Sequence, residues 1–237
     1  MTSYLIFAYP CSVLIALLYI IIGYTIFTGL FRRRNRAANA GELAMLAELC
    51  GNSPSPRLYR NPLAATPMLF GVFRPEIVLP DRGYTDAQLR SVLLHELTHL
   101  RRKDILVKWL SALACAIHWL NLIVWFVRHE IDRACELACD EAVISNLDAA
   151  GKQYYGETLL YVAAGSKAPL IVLSTTMREE KNALKERLGV IIKSKKHSRA
   201  AIIMSFALIL WFAAQQSHSA RDGRRTAKRG PLPYRRQ

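Results

Sequence analysis

His95-Glu96-Leu97-Thr98-His99 is the stretch of this 237-residue chain with the clearest chemical content. On an α-helix, residues i and i+4 share a face. His95 and His99 can therefore offer two imidazole nitrogens to one metal ion. Glu96, one position after the first histidine, flanks that ion without having to ligate it. Two imidazoles and a carboxylate able to take a proton from water are the apparatus of zinc-dependent hydrolysis. The competing reading is a helix that happens to carry two histidines. Val92 to Leu100 contains no Gly or Pro, so the helix is expected either way, and the flanking residues must decide whether the site is complete.

A second acidic stretch, Arg128 to Val143, holds several carboxylates, and most read as solvated helix charges. Glu136 and Asp140 differ. They lie four apart, among Leu137, Ala138, Cys139 and Ala142. A buried carboxylate is costly unless it is paired or bound to metal. Zinc would give Glu136 a partner, and Asp140 could orient a ligating histidine without touching the ion. Cys135 and Cys139 share the same spacing and could in principle ligate, although small buried side chains on a packed face are the simpler reading. The five cysteines are scattered and odd in number, which argues against a disulfide framework.

The elements that must position these residues follow from pattern. Thr85 and Gln88 form a capping box that starts the zinc-motif helix, expected to run to about Leu100 before Arg101-Arg102-Lys103. Residues 37–50 read as a short amphipathic helix. The Gly- and Pro-punctuated apolar pieces between Arg57 and Pro80 read as strands and turns, either a small structural sheet or an edge for an extended peptide. Residues 151–164 and 178–193 read as further helices.

Composition places the chain at a membrane. Hydrophobic residues make up 52% of it and the net charge is +14. The basic residues bracket the apolar runs, unlike the single basic face of a nucleic-acid binder, so no direct nucleic-acid partner is expected. Residues 4–31 carry no charge and are followed by Arg32-Arg33-Arg34, which predicts a transmembrane helix with its N-terminus outside and residue 32 onward in the cytoplasm. Residues 105–127 are long enough to span once. A straight crossing would part His99 from any ligand beyond residue 128. Two helices folded back at His118-Trp119-Leu120-Asn121 are therefore expected, dipping into the bilayer or lying on it. Residues 200–214 read as a last membrane helix. Residues 215–237 read as a disordered tail, with seven basic residues and one acidic from Arg221 onward.

His95-Glu96-Leu97-Thr98-His99-Leu100-Arg101-Arg102-Lys103-Asp104, then Glu136-Leu137-Ala138-Cys139-Asp140, resembles the BlaR/MecR family of integral-membrane metallopeptidases. Phe70-Gly71, Pro75-Glu76-Ile77-Val78-Leu79-Pro80 and His118-Trp119-Leu120-Asn121 are similar to that family too, over roughly residues 1–210. The resemblance implies Zn2+ held by His95, His99 and Glu136, with a position left for water. It implies Glu96 as general base and then proton donor to the leaving amine. His118, Tyr154, Tyr155 and Arg101 are open candidates for the oxyanion donor. Family antirepressors carry earlier membrane helices and a C-terminal β-lactam sensor, which are expected to be lacking here.

The expected fold is mostly α. A gluzincin-like zinc peptidase domain with a small β element (residues 32–199) is flanked by transmembrane helices. The expected activity is endoproteolysis of a repressor-like regulatory protein, or of the chain itself, from the cytoplasmic side of a bacterial-type inner membrane. Membrane lipid, a separate sensor protein and a second copy of the chain are the expected partners. The rival is a non-catalytic, truncated membrane regulator that acts by binding partners.

Overall fold

The computed structural model describes residues 2–165 and 174–193. The expected helix at 200–214 and the tail at 215–237 lie outside the described residues. The protein is mostly helical with one small sheet, the fold class that the sequence predicts.

Helix α1 spans Thr2–Arg34. Its stretch Ala8–Arg34 is the one described helix long and apolar enough to cross a membrane. Many of its large side chains are exposed, among them Ile15, Tyr19, Ile22, Ile26 and Leu30. Strand β1 (Arg36–Ala37) follows, then helix α2 (Ala40–Cys50). The expected start at residue 37 shifts inward because Asn39 is the N-cap. Its side chain accepts from Glu42 N at 2.8 Å while Glu42 Oε2 accepts from Asn39 N at 3.0 Å, the reciprocal capping box.

Strands β2 (Arg57–Asn61), β3 (Met68–Phe70) and β4 (Glu76–Pro80) complete a sheet of order β1-β2-β4-β3. The β2 and β4 strands pair in parallel, Leu58 opposite Ile77, and β3 pairs antiparallel with β4, leaving β3 on an edge. The sheet is tied to the end of α1. Buried Asn61 donates its amide to Phe31 O at 2.8 Å, and Arg32 pairs with Glu76 at 3.1 Å.

Helix α3 (Asp86–Arg102) carries His95-Glu96-Leu97-Thr98-His99, and Thr85 caps it with Gln88 as the sequence predicts. One face, Leu89, Val92, Leu93 and Leu97, packs with Leu46 of α2 and with Leu58, Ile77 and Leu79 of the sheet. This burial fixes the helix rotation and turns His95 and His99 to the other side. Lys103 then bends the chain through a left-handed conformation, φ 59° and ψ 34°.

Helix α4 (Asp104–Ile117) and helix α5 (Leu122–Ile144) form a hairpin around residues 118–121, where the fold-back is expected. The sequence suggests a fresh helix from Arg128; α5 instead runs unbroken from the apolar tip to the acidic stretch, because nothing between Leu122 and Ile144 breaks it. Helices α6 (Ala149–Gly165) and α7 (Ser174–Lys193) cover the far side. There Tyr155 and Leu159 pack with Val143, Ile144 and Ile191.

Candidate metal centre

His95 and His99 point their Nε2 atoms toward each other, 3.1 Å apart. From α5, Glu136 closes the group: Oε2 lies 3.5 Å from His95 Nε2 and Oε1 lies 3.5 Å from His99 Nε2. Ligand atoms about 2.0–2.1 Å from one tetrahedral zinc ion lie about 3.3–3.4 Å from each other. The imidazoles are 3.1 Å apart and each lies 3.5 Å from a different Glu136 oxygen, all close to that edge length, and two imidazoles with a carboxylate are a donor set that suits the ion. Both histidines are buried and Glu136 is about one-third exposed.

The other ring nitrogens are anchored. His99 Nδ1 lies 2.8 Å from Asp104 Oδ2, the first residue of α4. His95 Nδ1 lies 2.8 Å from the Tyr155 hydroxyl, which donates to Asp140 Oδ1 at 2.7 Å. Asp140 is itself 3.4 Å from His95 Nδ1, so it acts on that ring chiefly through Tyr155. With Nδ1–H donated to these acceptors, each Nε2 is left as the atom that would offer its lone pair to a metal ion once it loses its proton. Such outer partners set the tautomer and orientation of metal-ligating imidazoles.

Cys139 comes close as well. His95, His99 and Cys139 each bring a possible ligand atom within 4.8 Å of the others. However, the Cys139 thiol sits 3.5 Å from His95 Nδ1, the nitrogen that Tyr155 occupies, and donates to His95 O at 3.3 Å. Glu136 faces both Nε2 atoms, which makes it the better third ligand. Cys135, a helical turn earlier, is buried with its thiol pushed up by that burial.

Two cations border the cluster. Arg187 of α7 holds buried Asp140 with Nε to Oδ2 at 2.7 Å and Nη2 to Oδ1 at 2.9 Å. It also lies 3.6 Å from Glu136 Oε2. Lys108 of α4 approaches Glu136 Oε1 at 3.6 Å. Burial works against the Asp140 charge, but Arg187 and His95 outweigh it and hold the carboxyl at about 2. Burial likewise opposes ionised Glu136, and the two imidazoles hold it far below the usual carboxylate range. Burial disfavours a charged His99, yet Cys139 and Glu136 raise it to about 10.

Glu96 is buried beside the ligands. Among the described residues no hydrogen bond or ion pair engages its carboxylate. Burial pushes its carboxyl above the ordinary value, against the pull of His95 and His99. The arrangement can bind a divalent cation and keep an unengaged basic oxygen near it.

Of the oxyanion candidates, the structure puts only Tyr155 at the cluster, on the Nδ1 side of His95. Tyr154 bonds to Thr85 Oγ1 at 2.9 Å, Arg101 donates to Leu49 O at 2.9 Å, and His118 ends α4 at the hairpin turn. Sequence reasoning missed Asp104, Lys108 and Arg187 as site residues. Asp104 had a faint signal, as an acid just beyond the motif helix. Arg187 had none, since its helix reads as an ordinary amphipathic one.

A histidine pair and a glutamate on packed helices, beside an apolar hairpin, form a candidate metal centre. The chain belongs to the BlaR1 peptidase M56 family, whose profile matches residues 1–191. It is 30% identical over 159 residues to the regulatory protein BlaR1 of Bacillus licheniformis, covering 65% of this chain and 26% of that protein. It is 31% identical over 97 residues to the methicillin resistance mecR1 proteins of Staphylococcus aureus and Staphylococcus epidermidis, covering 40% of this chain and 17% of each. The matches thus span about a quarter or less of the length of these curated relatives.

Proposed function

We propose that this chain is a membrane-anchored zinc endopeptidase that cuts a regulatory protein, such as a transcriptional repressor, or cuts itself. The observation that carries the reading is the triangle of His95 Nε2, His99 Nε2 and the Glu136 carboxylate, with edges of 3.1, 3.5 and 3.5 Å, beside the unengaged carboxylate of Glu96. Membership of a metallopeptidase family and relatives named for regulation and resistance support it.

His95, His99 and Glu136 would hold the metal. Zinc, when bound there, supplies Lewis acidity that polarises the scissile carbonyl and makes water acidic. Glu96 takes the proton of the attacking water and passes it to the leaving amine. Its raised affinity for protons suits that exchange, because a general base works best near the operating pH. Asp104 and the Tyr155–Asp140 pair keep both imidazoles aimed. The site faces the cytoplasm of a bacterial-type inner membrane: α1 crosses the bilayer, and the hairpin over residues 105–127 dips into it or lies on it from the same side.

Replacing Glu96 with Gln tests the reading in the full chain reconstituted in vesicles. The glutamine keeps the shape and loses the base, so cleavage should fall by about 10²–10⁴-fold while bound zinc stays near one equivalent. Equal cleavage of a cellular substrate by both proteins would sink the peptidase assignment. Purified protein that takes up no zinc would sink the metal centre.

A further inference from the structure

The turn between β3 and β4, Gly71-Val72-Phe73-Arg74, presents its apolar residues outward. Phe73 is 96% exposed and Val72 is exposed beside it. The turn is built to hold them there: Gly71 has φ +91°, and a Cβ at that position would collide with the Arg74 carbonyl oxygen. A single exposed apolar side chain on a surface means little. This one is not isolated. Gly71 N donates to the Tyr24 hydroxyl of α1 at 3.1 Å, so the turn is fastened to the helix that is long and apolar enough to cross a membrane. Around Tyr24, α1 shows exposed Ile21, Ile22, Ile26 and Phe27. Trp109 of α4 packs edge-on against Tyr24 with ring centroids 4.9 Å apart. Exposed Leu106 and Leu110 flank that tryptophan in sequence.

Position along α1 gives a level. Tyr24 precedes Arg32 by eight residues, about 12 Å of helix. The turn therefore lies beside the apolar belt of α1, short of its terminal arginines. Tyr24, Trp109 and Phe73 gather there, and aromatic side chains favour the boundary between headgroups and acyl chains. Arg74, exposed and in no ion pair among the described residues, stands next to Phe73 as a cation for lipid phosphate.

We infer that the Val72-Phe73 turn is a membrane anchor that seats in the interfacial layer of the bilayer alongside α1 and α4. It gives the peptidase domain a second fixed point besides α1, on the sheet that packs against α3, and so holds the domain against rotation about the helix axis. The occupant is the lipid surface, since the turn is continuous with the apolar exterior of α1. This inference rests on the reading of α1 as a membrane-crossing helix.

The test places the photo-crosslinker p-benzoylphenylalanine at Phe73 of the full chain, reconstituted in phosphatidylcholine/phosphatidylglycerol vesicles that carry an alkyne-tagged phosphatidylcholine. Parallel chains carry it at Tyr19, exposed on α1, and at Asp86, exposed at the start of α3. Lipid adducts at Phe73 and Tyr19 and none at Asp86 are expected. Adducts at Tyr19 with none at Phe73 overturn the anchor and leave membrane insertion standing. Adducts at neither position overturn both. A crosslinked dimer at Phe73 in place of lipid adducts also overturns the anchor and assigns the turn to a second copy.

Discussion

His99 and Asp104 face each other across the bend between α3 and α4, with Nδ1 and Oδ2 2.8 Å apart. The left-handed Lys103 brings them together, since a straight continuation of α3 would carry Asp104 past the ring. Asp104 is also approached by Arg102 Nε at 3.4 Å. The carboxylate therefore fixes one tautomer of His99. Asp104→Asn should weaken zinc binding by about 10–100-fold, the usual cost of losing such a partner. Competition with a chromophoric chelator measures it, and unchanged affinity would show that the contact does not orient the ligand.

The same bend yields a stability prediction. A non-glycine residue in the left-handed region costs about 1–2 kcal/mol. Lys103 anchors no side-chain cap of α4. Lys103→Gly should therefore leave stability unchanged or raise it by up to about 1 kcal/mol. Lys103→Val should lower it. Thermal unfolding in detergent distinguishes the pair, and a marked loss with glycine would mean that the lysine side chain itself is needed.

Charge on the histidines makes metal uptake depend on pH. In metal-free protein the His99 imidazole is held at about 10: burial opposes the charge, and Cys139 and Glu136 outweigh it. A folded-state value raised above the ordinary 6.5 adds stability that is fully present below about 6.5 and lost as pH rises through about 10. Zinc must displace that proton. Apparent zinc affinity should therefore fall by up to about tenfold per pH unit for each displaced proton as pH drops below about 10. Titration at pH 9 and pH 7 with proton-release measurement checks this, and pH-independent uptake would contradict it.

Arg187 and Asp140 form an ion pair at the site, with Asp140 fully buried. Removing one partner of a buried pair costs about 3–5 kcal/mol. Arg187 remains about one-fifth exposed, so Arg187→Met should cost somewhat less than that, about 2–3 kcal/mol. Its acid sensitivity should change too. With Asp140 held at about 2, its stabilising charge is present above the unfolded value near 4 and lost as pH falls through 2. Without Arg187 that loss should begin at higher pH. Equal acid unfolding midpoints for the two proteins would show that the pair is not what holds Asp140 ionised.

Sequence made His95, His99, Glu96 and the α3 cap legible because they are local: a helical period and a capping box need nothing from the rest of the chain. Glu136 and Asp140 were legible as carboxylates in buried company. The fold-back at residues 118–121 followed from a geometric constraint. What stayed hidden was set by tertiary packing. The Tyr155 hydroxyl enters between His95 and Asp140 only because α6 packs on α5, and Arg187 reaches the cluster from a helix whose pattern carries no chemical mark. The continuity of α5 was missed because a composition change at Arg128 looks like a boundary, although helix geometry is indifferent to it.

One feature of the centre bears on biosynthesis. Its side chains come from α3, α4, α5, α6 and α7, and the contact between His95 and Arg187 closes 92 residues of chain. His95, His99 and Glu136 are translated well before the arginine that counterbalances Asp140. A nascent chain emerging from the ribosome thus carries an incompletely neutralised pocket until its last described helix docks. Synthesis of α7 is the step that completes the centre, so a partly made copy carries the histidine pair without the finished charge balance of the folded protein.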